Sequence, residues 1–134
     1  MSQENVELCK RAFRVFERLD VEGGLEYLDP EIVFQSAIVS SAEGNSYRGH
    51  DGLRRWAAEA ESAFAELRTV ADEWRDLGSD HVLMLGRVYA RGRESGADVE
   101  APVAFLCTLR EAKLAHVTGF LNHDEALEAA GLSE

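Results

Sequence analysis

Residues 100–121, EAPVAFLCTLR-EA-KLAHVTGFL, decide how this chain folds. Within Glu100–Arg110, Val103, Phe105 and Cys107 recur at a period of two, which puts them on one face of an extended strand. Lys113–Leu121 follows after only Glu111-Ala112, so the two segments read as antiparallel neighbours. A sheet with such an apolar face needs a cover. The apolar helices at the front of the chain can supply it, and the combination suggests a cone with an internal pocket.

Working outward, His81–Arg93 reads as a long strand ending at the turn Ser95-Gly96, and Thr69–Leu77 as another ending at Gly78-Ser79-Asp80. Gly49 opens a helix to about Leu67, with Leu53, Trp56, Ala57, Ala60 and Phe64 as its apolar stripe. Ser2 caps a first helix to about Leu19, with Val6, Cys9, Phe13 and Phe16 on one face. Asp20 caps a short second helix ending near Leu28. Asp29-Pro30 then breaks the chain, and Glu31–Ser36 forms a short strand. Residues 37–46, rich in Ser40, Ser41, Gly44, Asn45 and Ser46, read as a loop at the mouth of the pocket. Asn122 caps a last helix with Glu125 three residues on, and Gly131 ends it. The order implies an α+β fold, a bent and mainly antiparallel sheet wrapped on helices, in one domain spanning 1–134.

Composition narrows the function classes. At 134 residues and 46% hydrophobic content the chain is long enough and apolar enough to bury a core. A formal net charge of −11 repels phosphate backbones, which argues against nucleic acid as a partner, and gives no support to an anionic membrane surface. There is no spanning apolar run and no signal-peptide core at the N-terminus, so the expected compartment is the cytoplasm. Cys9 and Cys107 sit in apolar surroundings and read as small buried hydrophobes rather than a disulfide or a reactive thiol. Four histidines without ligand spacing imply no metal site, and the absence of a P-loop or GxGxxG implies no nucleotide cofactor.

A set of short motifs runs through the chain: Leu28-Asp29-Pro30-Glu31-Ile32-Val33-Phe34, Tyr47-Arg48-Gly49-His50-Asp51-Gly52, Gly86-Arg87-Val88 with Arg91-Gly92-Arg93, Ala101-Pro102-Val103, Thr108-Leu109-Arg110, and Gly119-Phe120-Leu121 ahead of the final helix. In this order and spacing the chain resembles the NTF2-like superfamily, and within it the SnoaL-like group, over essentially its whole length. The resemblance implies the cone fold and a homodimer through the convex sheet face. That superfamily holds ketosteroid isomerases, polyketide cyclases, epoxide hydrolases, dehydratases and non-catalytic binding modules, so the fold does not choose the chemistry.

The residues must choose. An isomerase of this kind needs a carboxylate base on the first strand and an acid or phenol pair around an enolate oxygen. Here the first-strand positions hold Phe34, Gln35 and Ser36, the matched acid position holds Phe105, and the helix position matched to the tyrosine holds Phe13 or Ala12. The hydrolases need carboxylates bridged by an arginine, and Arg87 has Val88 and Tyr89 beside it, with Thr118 or Gly119 at the last-strand acid position. Two weak catalytic candidates stay open. His116 shares an alternating face with Leu114, Thr118 and Phe120, which reads as the outer face, against a pocket acid–base role. Arg87 reads as outward, with Arg91 and Arg93, unless a one-residue bulge turns it in toward a carboxylate-bearing ligand. Tyr47, Arg48 and His50 read as turn residues before the long helix, while His81 and His123 read as surface residues.

The expected function is therefore a binding protein for a small hydrophobic molecule. Its pocket would be lined by Phe13, Phe34, Trp56, Val103, Phe105, Cys107 and Leu121, with Gln35 and Ser36 as hydrogen-bonding groups. The alternatives are an isomerase, cyclase or hydrolase acting on a polyketide- or steroid-like substrate, and a structural or regulatory dimer whose interior is filled.

Overall fold

The computed structural model describes residues 2–38 and 44–132, the side chains of Ser2 and Gln3 excepted. The expected cap by Ser2 and the loop serines Ser40 and Ser41 lie outside the described residues. The chain runs α1 (Ser2–Ala12), α2 (Arg14–Arg18), α3 (Val21–Gly24), a 3-10 turn, β1 (Leu28–Gln35), β2 (Ser46–Arg48), α4 (Gly49–Ala63), β3 (Phe64–Gly78), β4 (His81–Gly92), β5 (Asp98–Arg110), β6 (Lys113–Phe120) and α5 (His123–Ala129). The class is α+β, as the sequence indicates. The six strands lie in the order β2-β1-β6-β5-β4-β3, and all neighbours are antiparallel except β1 and β6, which are parallel.

The first helix is shorter than its periodicity suggests. It breaks at Phe13, and α2 closes at Leu19 in the left-handed region at φ 58°. The break turns both Phe13 and Phe16 toward the sheet. Asp20 caps α3 by accepting from the Gly23 amide at 3.0 Å. Asp29-Pro30 does not break the chain: β1 runs through it. Pairing with β6 shifts register between Leu28 and Val33, so no ladder bond is demanded of the proline nitrogen there. The long helix ends at Ala63 rather than near Leu67, because Leu67 and Glu66 pair with Ala90 and Arg91 of β4.

Register assigns the faces. Val82, Met84 and Val88 of β4 face inward with Val103, Phe105 and Cys107 of β5 and Val117 of β6, and all belong to the main core under α1, α2 and α4. One residue moves against the simple alternation. A bulge after Thr108 pairs Leu109 with Leu114, so Leu114 turns inward and parts from His116, Thr118 and Phe120. On the outer face α5 covers a second, smaller cluster, where Ala126 packs with Leu83, Leu85 and Ala104. Asn122 caps α5 from its side-chain oxygen to the Glu125 amide at 3.1 Å. No helix among the described residues is long and apolar enough to cross a membrane.

Candidate functional site: the aromatic interior

The inner face converges on aromatic rings delivered by α2, α4, β1, β3 and β5, and by Phe13 at the break before α2. Phe16 from α2 lies 4.8 Å from Phe34 of β1, 5.0 Å from Phe105 of β5 and 5.6 Å from Trp56 of α4, ring centre to ring centre. Phe34 meets Trp56 edge-on at 5.1 Å, and Phe13 meets Trp74 of β3 edge-on at 5.4 Å. These separations are those of rings in direct contact, and each such pair adds about 0.5–1.5 kcal/mol beyond its buried area. The interior of the cone is thus occupied by the chain's own side chains.

Of the residues named from sequence as a lining, Phe13, Phe34, Trp56, Val103, Phe105 and Cys107 all lie in this cluster. Ser36 is buried beside it and accepts from the Ile38 amide at 3.2 Å. Gln35 does not join them. It alternates to the outer face, where its side-chain oxygen accepts from the Thr118 hydroxyl at 3.2 Å. Leu121 also lies apart, 45% exposed, because β6 ends at Phe120 and strand alternation stops with it.

Three contributors were not named as lining residues. Phe16 carried a signal, its helical spacing from Phe13. Trp74 carried a weaker one, since the residues that set its face lie across the sheet on β4. Tyr47 of the three-residue β2 is fully buried, donates to Glu59 at 2.6 Å and lies under the Arg55 guanidinium. The cysteines meet in the interior: a hydrogen bond with the Cys9 thiol, and then burial, push the Cys107 thiol well up. Both are free and buried, packing as the sequence reading has it.

Two buried side-chain polar atoms lack a partner among the described residues: Trp56 Nε1 and Asp76 Oδ2. Asp76 pairs with Val82 and is the carboxylate on the inward face of β3, with its other oxygen accepting from the Gly78 amide at 2.8 Å. That bond fixes the β3–β4 turn. Trp56 is 3% exposed, and its indole N–H ends among rings that offer no strong acceptor.

The family model for the SnoaL-like domain matches residues 9–117. The chain belongs to the SnoaL-like domain family. Among curated proteins none matches it. An NTF2-like protein from Burkholderia xenovorans LB400 is similar to this SnoaL-like chain over 97% of both chains, at 23% identity and a TM-score of 0.76. TerC, co-crystallised with polyporic acid, is similar over 96% of this chain and 98% of its own, at 18% identity and a TM-score of 0.74. A protein from Catenulispora acidiphila DSM 44928 with a ketosteroid isomerase-like fold, in complex with trimethylamine, is similar over 94% and 93%, at 13% identity and a TM-score of 0.72. At such identities the likeness carries the fold and not the chemistry.

The two weak catalytic candidates of this SnoaL-like chain lie outside the aromatic interior. Arg87 faces outward. Its guanidinium grips Asp72, the bulged residue of β3, with two bonds of 3.0 Å, and reaches Glu100 at 3.6 Å. His116 pairs with Thr108 on one side and Val33 on the other, on the outer face. His50, expected in a turn with Tyr47 and Arg48, stands instead in the first turn of α4, with those two in β2; its Nε2 hydrogen goes to the Leu28 carbonyl at 3.0 Å. His123 is more than a surface residue. Its Nε2–H is shared by the Gly86 and Val103 carbonyls at 3.0 and 3.1 Å, and this ties α5 to the sheet. A carbonyl only accepts, so the hydrogen in both cases is on Nε2.

The outer carboxylates give a pH prediction. The Arg87 hydrogen bond holds Asp72 below the usual carboxylate range. The Glu31 amide, and then Arg110, do the same for Asp29, as Arg54 does for Glu22. Each folded-state pKa is depressed, so the stability they contribute is present above the unfolded value and is lost as pH falls through the folded one. The melting temperature is expected to be flat near neutrality and to fall below about pH 4. Asp72→Asn should make that fall shallower. An unchanged acid limb in that variant would remove Asp72 from the account.

Proposed function

We propose that this chain binds small planar apolar compounds within its cone and does no acid–base chemistry there. The observation that carries the reading is the indole N–H of Trp56, buried among Phe16 and Phe34 with no acceptor among the described residues. An unmade buried hydrogen bond costs about 1–3 kcal/mol. A ligand ring bearing a carbonyl or hydroxyl oxygen would meet that N–H while its flat faces take the place of ring–ring contacts. Phe13, Phe34, Val103, Phe105 and Cys107 would form the apolar wall, with Ser36 at its margin. The small molecules bound by TerC and by the Catenulispora protein are consistent with a small-ligand role for this fold. An isomerase or hydrolase reading through His116 or Arg87 is disfavoured by their place on the outer face, where Arg87 is already engaged by Asp72.

The ring packing itself favours a second reading, a non-catalytic structural homodimer whose interior is filled. Thermal shift with a panel of planar quinones and hydroxylated polyaromatics separates the two. Under the binding reading at least one compound raises the melting temperature, and Trp56→Phe weakens its affinity about three- to tenfold, the worth of one neutral hydrogen bond. If no compound moves the melting temperature and sedimentation shows a dimer, the filled-interior reading stands instead.

A further inference from the structure

A cavity lies on the side of the sheet opposite the aromatic interior. It encloses about 350 Å³ between the β3–β4 turn, the outer faces of β4, β5 and β6, and the end of α5. Its floor and walls are Leu77, Leu106, Ala129 and Ala130, and its polar groups are Ser79, His81, Thr108, His116 and Thr118. The size is within the range of small-molecule sites.

The polar groups form two rows. His81, Thr108 and His116 are direct cross-strand partners on three adjacent strands, and Leu106 and Thr118 are partners in the next row. His81 Nδ1 is 3.1 Å from the Thr108 hydroxyl, which leaves its Nε2 for another partner. The His116 imidazole is half-buried. The Thr118 hydroxyl donates to Gln35, which fixes the rim on the β1 side. No carboxylate lines the cavity, although the chain carries 25 acids. Its donors are the two imidazoles and the hydroxyls of Ser79 and Thr108, the Thr118 hydrogen being engaged by Gln35.

We propose that this outer cavity is a separate binding site for a small aromatic carboxylate. The ring would lie on Leu77, Leu106 and the alanines of α5, and the carboxylate would accept from His81 Nε2–H and from the His116 imidazole, with the Thr108 hydroxyl between them donating to His81 Nδ1. The site is independent of the Trp56 interior, since the sheet separates the two and no residue lines both.

The test uses the full chain labelled for NMR and titrated with 2-naphthoate, and 2-naphthamide as the uncharged control. Saturable shifts are expected at His81, Thr108, His116, Thr118 and Ala129–Ala130, with weaker binding of the amide. His116→Gln should weaken naphthoate binding about tenfold or more, the worth of one hydrogen bond to a charged group, with its melting temperature unchanged. His81→Gln should do the same from the other end of the row. Four results overturn the proposal: no saturable shift at millimolar probe; an affinity unchanged from the parent in both glutamine variants; shifts confined to Phe16, Phe34, Trp56 and Phe105; or loss of the outer-face signals with protein concentration alone. The third would support the interior reading and remove this one, and the last would mean that a second copy of the chain covers the cavity.

Discussion

Phe34→Ala is expected to cost about 3–5 kcal/mol, the range for a buried phenylalanine cut back to a methyl group. Phe34 is 1% exposed and stands within 6.5 Å, ring centre to ring centre, of Phe16, Trp56, Phe105 and Tyr47. These neighbours come from a helix, a strand and another helix, and from the short strand beside it, so no single movement closes the gap. For a chain of this size such a loss lowers the melting temperature by about 10–20 °C. Urea unfolding followed by tryptophan fluorescence measures it, with Trp56 as a reporter at the wall of the void. A void lined by rings stays dry and accepts apolar guests. Toluene or indole should therefore raise the melting temperature of Phe34→Ala by more than that of the parent, since neither carries an oxygen to meet the Trp56 N–H. A loss below about 1 kcal/mol would mean that the rings are not in the close contact described above.

Gly86→Val is expected not to yield soluble folded protein, and Gly86→Ala to lose about 1–3 kcal/mol, the usual cost of overpacking. A β-carbon at position 86 would stand 2.1 Å from the Val70 carbonyl oxygen and 3.0 Å from the Met84 sulfur. The oxygen belongs to the backbone of β3, so the whole strand must retreat, two residues before the bulge that presents Asp72 to Arg87. Gly119→Ala is the control. There the added methyl meets the Ala37 nitrogen at 3.3 Å and the Ala37 β-carbon at 3.4 Å, contacts that a few tenths of an ångström relieve. Equal melting temperatures for Gly86→Ala and Gly119→Ala would contradict the close approach of β3 and β4.

Alternation made β4, β5 and β6 legible from the residues alone, because each is long and its two faces differ in chemistry. The same rule failed where geometry departs from a regular strand. The bulge at Thr108 turned Leu114 inward, and the end of β6 at Phe120 released Leu121. Gln35 sits beside Phe34 in sequence and on the opposite face in space, which adjacency conceals and pairing with Thr118 reveals. The boundary between α4 and β3 was misplaced because Ala65-Glu66-Leu67 suit a helix well, and only pairing with β4 makes them a strand. β2 is three residues long, too short for a period to show. The aromatic interior was legible as a set of residues. The unpartnered indole N–H was not, because the absence of an acceptor depends on every neighbour at once.

The parallel neighbours β1 and β6 also set a timetable. β1 ends at Gln35, whereas its inner partner begins at Lys113. As the chain is synthesised, Ile32 and Phe34 emerge early with only the short β2 to pair beside them, and the edge that β6 will fill stays open until the last strand arrives. Contacts so distant along the chain slow folding, since the intervening segment must be ordered before they form. A nascent chain arrested before Lys113 would present an apolar strand with a free edge, the form most prone to join another copy of itself. The last strand thus acts as the closing stave of the sheet, and until it arrives the incomplete chain keeps that edge open.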